Sequence, residues 1–209
     1  MKSSNFFVLA IIISVFAIAF YSIRSGTTIE EKYIQKIIKE RQDKNKLFKF
    51  DLEESPIKDE DRNQFDSLNY YSIDYNMRIE ADFVENPKQQ FLEIDYTDGS
   101  KRRYLKLGYA HFNLSGIPQK LLILKPTVFV GEEYLFAPFY DETSANETYG
   151  GGRYLEPELI GEKQVLIDFN TAYNPYCAYN EKYNCPFPPK ENQISAAVEA
   201  GEKIFELTH

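Results

Sequence analysis

The strongest constraint in this 209-residue chain is a run of alternating hydrophobicity that ends in a tight turn. Tyr75, Met77, Ile79, Ala81 and Phe83 alternate with Asn76, Arg78, Glu80 and Asp82. That period of two marks a half-buried strand. Phe91, Leu92, Ile94 and Tyr96 form a second such segment, and Asp98-Gly99 turns the chain into a third, Tyr104 to Leu114. Asp-Gly between alternating runs is a strong hairpin signal, because the tightest hairpin turns need backbone angles that these residues tolerate. Leu121 to Val130, interrupted by Pro126, then Tyr134 to Tyr140, Val165 to Phe169 and Ile194 to Val198 supply further strand-like pieces. The 16 Tyr and 16 Phe agree with this bias, since both favour strands. Seven or eight short strands predict an α+β, mainly β fold: an antiparallel sheet, sandwich or partial barrel.

Two helical segments precede the strands. Phe6 to Ile23 is an uncharged run behind Lys2, closed by Arg24. As a helix it would extend roughly 27 Å at about 1.5 Å per residue, barely the thickness of a hydrocarbon core. Residues 1–26 read as a signal peptide, with Ala17-Ile18-Ala19 as the small-x-small pattern, or as a membrane anchor. Apolar residues continue past Ala19, which favours the anchor. Either reading places the remainder, residues 27–209, in the cell envelope as a single β-rich domain, exported or anchored and periplasm-facing. The basic residues Lys32, Lys36, Lys39 and Arg41 just after the run pull the other way. Thr28 and Glu31 make a capping box for an amphipathic helix of about residues 29–49. Its apolar stripe is Tyr33, Ile34, Ile37, Ile38, Leu47 and Phe48, and Arg41 lies near that stripe. Ser55-Pro56 followed by Asp59-Glu60-Asp61 predicts a short helix reaching about Phe65.

Charge narrows the range of partners. The formal net charge is -8, and without Lys2 and Arg24 it is -8 - 2 = -10. Such a body is repelled by phosphate backbones, so nucleic acid is not an expected partner.

The chemistry-bearing residues gather in two irregular stretches. The first runs from Phe139 to Tyr154 and contains Gly150, Gly151 and Gly152 ahead of Arg153. Arg153 either offers its planar fork to an anionic ligand or pairs internally with Asp141, Glu142 or Asp168. The second runs from Asp168 to Asn192 and has neither helical nor strand periodicity. Asp168 and Asn170 leave a strand, and Tyr173, Asn174, Tyr179 and Asn180 mix flat apolar faces with donors and acceptors. That mixture suits a sugar-like or small anionic ligand; it also suits a loop folded on its own asparagine hydrogen bonds. Glu191 and Asn192 close the stretch. Asp168 and Glu191 are the candidate catalytic carboxylates, as acid and base in a hydrolase with Arg153 beside them.

Cys177 and Cys185 are the only cysteines. In an exported domain a disulfide is the expectation; free thiols, or a metal site with His111, are the alternatives. One Cys pair and a distant His lack the paired spacing of structural zinc, so no metal and no cofactor are expected. A Walker loop, Gly-x-Ser-x-Gly and His-Glu-x-x-His are absent from the sequence.

The motifs Glu-Thr-Tyr-Gly-Gly-Gly-Arg-Tyr-Leu at 147–155, Asp-Phe-Asn-x-Ala-Tyr-Asn-Pro at 168–175, Cys-Ala-Tyr-Asn at 177–180, Cys-Pro-x-Pro-Pro-x-Glu-Asn at 185–192 and Ala-Gly-Glu-Lys at 200–203 resemble a bacterial family known as domain of unknown function 1684. The resemblance covers about residues 30–205. It implies an exported or anchored bacterial protein, and it brings no activity and no catalytic residues. The expected function is therefore a binding module for a small anionic or sugar-like ligand. Arg153, Asp141, Asn170, Tyr173, Asn174, Tyr179 and Asn192 are its candidate ligand-binding residues. The alternatives are the hydrolase and a structural envelope protein in which these residues only lock a loop.

Overall fold

The computed structural model describes residues 28–128 and 131–207. The apolar run 6–23, read as a signal peptide or hydrophobic helix, lies outside the described residues. Among the described residues no helix is long and apolar enough to cross a membrane. Helix α1 spans Ile29–Phe50. The Glu31 N–H donates to Thr28 Oγ1 at 3.0 Å and the Thr28 N–H to Glu31 Oε2 at 2.8 Å, closing the expected capping box. The chain divides into two compact units between Lys36 and Ile37; the structure described below belongs to the second. Within it Phe48 is buried and packs with Ile57, Phe65, Leu68 and Tyr179. The Phe48 and Tyr179 rings meet edge-on at 5.2 Å, a favoured aromatic geometry.

The short helix expected after Ser55 does not form. Residues 58–64 make consecutive turns instead, with the Lys58 carbonyl accepting from both Asp61 and Arg62. Arg62 explains the difference, because its guanidinium reaches back to the Asp51 carbonyl at 2.6 Å and to Asp59 at 2.8 Å. Those bonds hold the segment against the end of α1.

Five antiparallel strands follow: β1 (Arg78–Asp95), β2 (Lys101–Leu114), β3 (Ile117–Pro126), β4 (Glu158–Leu159) and β5 (Gln164–Asp168). They lie in the order β3-β2-β1-β5-β4. The sheet is open, with β3 and β4 at its edges, so the expected antiparallel sheet is present without closing into a barrel. Asp98-Gly99 makes the β1–β2 turn, Gly99 at φ 80°. The sheet is covered on both faces. Leu121, Leu122, Ile123 and Leu124 of β3 are all fully buried, and alternate members enter different clusters. Leu121 and Ile123 join Phe83, Phe112, Val165 and Ile167. Leu122 and Leu124 join Ile94, Tyr104, Phe136 and Tyr154. A continuous apolar run is the mark of such a doubly covered strand.

The covers come from the segments expected as extra strands. Residues 134–140 and 194–198 run extended but touch their neighbours through single bridges, Leu124 to Phe136, Phe139 to Arg153 and Tyr140 to Gln193. Ile194, Ala196 and Val198 are buried at a period of two, whereas Phe136 to Phe139 are buried without a break. The alternation at 194–198 records burial of one side of an extended chain, and both segments lack the continuous ladder that defines a strand. Pro138 removes an N–H from one of these segments.

Candidate ligand-binding site

The irregular 168–192 segment is held by its asparagines. Asp168 accepts from the Asn170 N–H at 3.1 Å and starts a single 3-10 turn, Phe169–Thr171. Asn170 in turn accepts from the Asp74 N–H at 2.9 Å and donates to the Asp74 carbonyl at 2.7 Å. Asn174 donates through its side chain to the Lys203 carbonyl at 2.8 Å, and through its backbone to Glu202 at 2.9 Å. Asn184 accepts from the Asp98 N–H and the Thr97 hydroxyl at the β1–β2 turn, each at 3.1 Å. Asn192, fully buried, accepts from the Leu122 N–H at 2.7 Å and donates to the Leu122 and Pro138 carbonyls at 3.0 and 2.9 Å. Each amide fixes the segment to a different part of the body, which accounts for an ordered shape without periodicity.

The expected disulfide is not formed. Cys177 and Cys185 are free thiols, Cys185 buried and Cys177 half-buried, and the Cys177 N–H donates to Cys185 Sγ at 3.2 Å. The asparagine clamps make a covalent staple unnecessary for holding this shape.

Arg153 does not face a ligand space. It is 1% exposed, and its guanidinium donates to Asp141 at 2.9 Å and to the carbonyls of Val198, Ala200 and Glu202. Asp141 also accepts from the Thr143 N–H and hydroxyl at 2.7 and 2.6 Å. Of the internal partners weighed from the sequence, Asp141 is the one the structure uses. Gly152 makes this arrangement possible. It sits at φ 84°, and a Cβ there would lie 2.5 Å from Pro188 and 2.7 Å from the Phe139 carbonyl, too close for any other residue. Asp168 and Glu191 belong to separate environments. Asp168 ends β5 opposite Arg78 of β1. Glu191 lies on the surface beyond β2, accepting from Tyr109 at 2.6 Å and from Lys106 at 3.0 and 3.1 Å. Burial alone would raise the Glu191 carboxyl, but the Tyr109 hydroxyl and the Lys106 ammonium outweigh it and leave the group below the usual carboxylate range. Tyr179 and Asn174 point to the buried Glu202, whose carboxylate also takes Lys44 at 2.6 Å.

What the segment does enclose is an aromatic cup of about 270 Å³. Its floor is Tyr104, Phe136 and Tyr154, with Phe136 offset-stacked on Tyr104 at 5.8 Å and edge-on to Tyr154 at 4.9 Å. Tyr173, Tyr176, Tyr183 and Pro186 of the irregular segment form one wall, and Tyr96 and Arg102 the other. Tyr134 and Tyr176 are about two-fifths exposed at the mouth, 37% and 39%. Arg102 stacks its guanidinium 4.3 Å from the centre of the Tyr96 ring. Among the described residues it forms no ion pair. Burial pushes the Tyr104, Tyr134 and Tyr154 hydroxyls up, so they stay protonated near neutral pH. The Tyr96 and Tyr104 hydroxyls bond to each other, Tyr154 donates to the Pro186 carbonyl, and Tyr173 donates to Glu156 at 2.7 Å. The rings are thus fixed in orientation before any ligand arrives.

Of the candidate ligand-binding residues named from the sequence, only Tyr173 lines this cup, and Cys185 joins it there. Arg102 and Tyr104 lie on β2 and Tyr96 directly follows β1, and in the sequence the basic run after Asp98-Gly99 reads as a solvated strand start, so nothing there marks them as a site. The available signal was the excess of tyrosine in one sheet face and one loop, which period-two reading assigns wholly to core.

Tyr173 also borders a second cleft, of about 220 Å³, between α1 and the 170–173 turn. Arg41, flagged near the helix stripe, points into the body there and donates to the Tyr71 carbonyl at 2.8 Å and the Asn170 carbonyl at 3.3 Å. Lys44 and Glu202 line the same cleft and pair across it. Lys44 and Glu202 satisfy each other and Arg41 is held by backbone carbonyls, which favours a packing seam over a ligand site.

A family model described as "Protein of unknown function (DUF1684)" matches residues 63–203. Among solved structures, the chain is similar to an uncharacterized protein of Haloarcula marismortui determined by solution NMR. That match has 32% identity and a TM-score of 0.63, and covers 83% of this chain and 95% of the other. No curated protein matches.

Proposed function

Since this chain belongs to the DUF1684 family of proteins of unknown function, a membership that brings no activity with it, we propose from its geometry that it is a binding module for a small ligand with a flat or ring-shaped body and an anionic group. The observation that carries this reading is the aromatic cup under the 168–192 segment, with Arg102 at its rim. Binding sites for small molecules are mostly apolar and aromatic, with a few placed polar groups that set orientation. The cup has that composition. Its rings suit stacking against a sugar or aromatic face, and an arginine fork suits a carboxylate or phosphate. A volume near 270 Å³ suits a single ring or a monosaccharide with its charged substituent.

The expectation of a ligand held by Arg153 moves, in this reading, to Arg102, because Arg153 is enclosed. A hydrolase using Asp168 and Glu191 gains no support, since the two carboxylates have separate partners. The apolar run 6–23 supports placing the module at the cell envelope, anchored or exported, and the negative charge of the body argues against nucleic acid as partner. Native mass spectrometry of the protein purified from its own host tests the reading. A co-purifying anionic species of one or two hundred daltons, lost on substitution of Arg102 by Ala, is the expected result. An unliganded protein that also fails to bind any member of an aryl-carboxylate and sugar-phosphate panel would sink it.

A further inference from the structure

We infer that Cys177 is a nucleophilic thiol that adds to small soft electrophiles of the α,β-unsaturated carbonyl class, with Cys185 and Tyr149 as positioning residues that hold its charge. The inference needs no ligand in the aromatic cup, although Cys185 and Tyr154 also line it. Its basis is a cluster drawn from both irregular stretches. The 3-10 turn Tyr176–Ala178 brings Cys177 onto Cys185, eight positions later, and the Cys177 N–H donates to Cys185 Sγ at 3.2 Å. From the glycine-rich stretch, Tyr149 places its hydroxyl 3.8 Å from Cys177 Sγ. Cys185 is buried while Cys177 is half-buried.

The titratable groups that face this sulfur are Cys185, Tyr149 and, further off, Tyr154. All three are neutral acids near pH 7, so none repels a thiolate; Cys185 and Tyr149 can donate to it, while the Tyr154 hydroxyl is taken by the Pro186 carbonyl. The Cys185 S–H is the main cause pulling Cys177 down to about 7, against burial, and the Tyr149 O–H adds to it. Burial and the neighbouring sulfur push Tyr149 up to about 12, so it stays a donor. Cys185 shifts upward, chiefly because its proton is engaged by Cys177. A thiolate, not a thiol, is the attacking species, so the two cysteines are set apart in reactivity.

In the step, a Cys177 sulfur lone pair forms the S–C bond at the β carbon. The C=C π pair moves to the α carbon, which takes a proton from Tyr149 or Cys185, and water then restores that proton. The product is a thioether, and no oxidant or reductant is needed.

N-ethylmaleimide is the probe, applied to the full folded chain across pH, with the adduct located by peptide mass mapping. The expected result is labelling of Cys177 at least about tenfold faster than Cys185 at pH 7, from the difference in thiolate fraction. The rate should titrate with a midpoint near 7. Tyr149→Phe and Cys185→Ala should each move that midpoint upward while the circular dichroism spectrum is unchanged. Equal labelling of the two cysteines, a midpoint at the ordinary thiol value of about 8.5, or a midpoint that neither substitution moves would overturn the inference. If a variant fails to fold, the selectivity and midpoint of the unmodified protein decide alone.

Discussion

Arg153 Nη2 donates to Asp141 Oδ2 at 2.9 Å with both side chains shielded from water, 0% and 1% exposed. The same guanidinium collects the carbonyls of Val198, Ala200 and Glu202, so one side chain ties the glycine-rich turn to the C-terminal cover. Removing one partner of a buried, hydrogen-bonded pair leaves a charge without compensation, at a cost of about 3–5 kcal/mol. Arg153→Ala is therefore expected to lower the urea-unfolding free energy by about that much, with an unchanged m-value. A cost of only about 0–1 kcal/mol, as for an exposed pair, would mean that Arg153 faces solvent or ligand.

Gly201 sits beside this network at φ 77°, and a Cβ there would meet the carbonyls of Ala172 and Phe169 at 2.6 and 2.7 Å. Gly201→Ala should destabilise by at least the roughly 1–3 kcal/mol of a strained left-handed backbone, with more from the forced contact. A thermal melt within about 1 °C of the unmodified protein, well under the shift that 1 kcal/mol produces in a domain of this size, would contradict the placement of the C-terminal segment.

The sequence made the sheet legible and left the site obscure. Alternation at 75–83 and 91–96, read as two strands, marks the two ends of a single β1 with a register shift between Glu85 and Gln90, and Tyr75–Met77 is a 3-10 turn ahead of it. The Asp98-Gly99 turn identified the start of β2 and the capping box the start of α1, because local backbone preferences decide them. The extended covers at 134–140 and 194–198 were indistinguishable from strands, since one-sided burial at 194–198 gives the same period, and a buried apolar run at 136–139 the same composition, whether or not a neighbour completes the ladder. Arg153 stood out by its motif, but a motif cannot say whether a guanidinium faces in or out. The cup was invisible for the opposite reason: Tyr96, Arg102, Tyr104, Tyr154 and Tyr183 are far apart in sequence and carry no spacing rule.

Asn192 and the two cysteines separate two ways of holding the 168–192 segment. Asn192→Leu removes hydrogen bonds to the Leu122 N–H and to the Leu122 and Pro138 carbonyls. Buried backbone groups left unpaired cost about 1–3 kcal/mol each, so the melting temperature should fall by several degrees at least. Cys185→Ser should change stability far less, and reductant should leave the melt of the unmodified protein where it was. A melt that drops on reduction would show a disulfide to be the main constraint.

Alkaline pH should unfold the protein through its tyrosines. Burial first, then the Glu147 carboxylate, holds Tyr71 up at about 12, and Tyr154, Tyr173 and Tyr179 are pushed up chiefly by burial. Unfolded tyrosines ionise near about 10. The folded state therefore binds more protons than the unfolded state above that pH. The stability these groups contribute is complete below about 10 and declines as pH rises through the folded-state values. Tyrosinate absorbance and loss of secondary structure should appear together between about pH 10 and 12. Full tyrosine ionisation near 10 with the fold intact would contradict the burial of these rings.

The most direct measurement is an NMR titration of the folded chain with phenyl phosphate, benzoate and a sugar phosphate, each against its uncharged counterpart. The result expected is saturable movement of the ring signals of Tyr134, Tyr176 and Tyr183 with at least one anionic probe, weakened about tenfold or more with the uncharged probe and in Arg102→Ala, the scale of one charge-assisted bond. Perturbations that map to the Arg41–Lys44 cleft, or no saturable movement of the cup tyrosines with any probe, would contradict the assignment of the cup as the binding site.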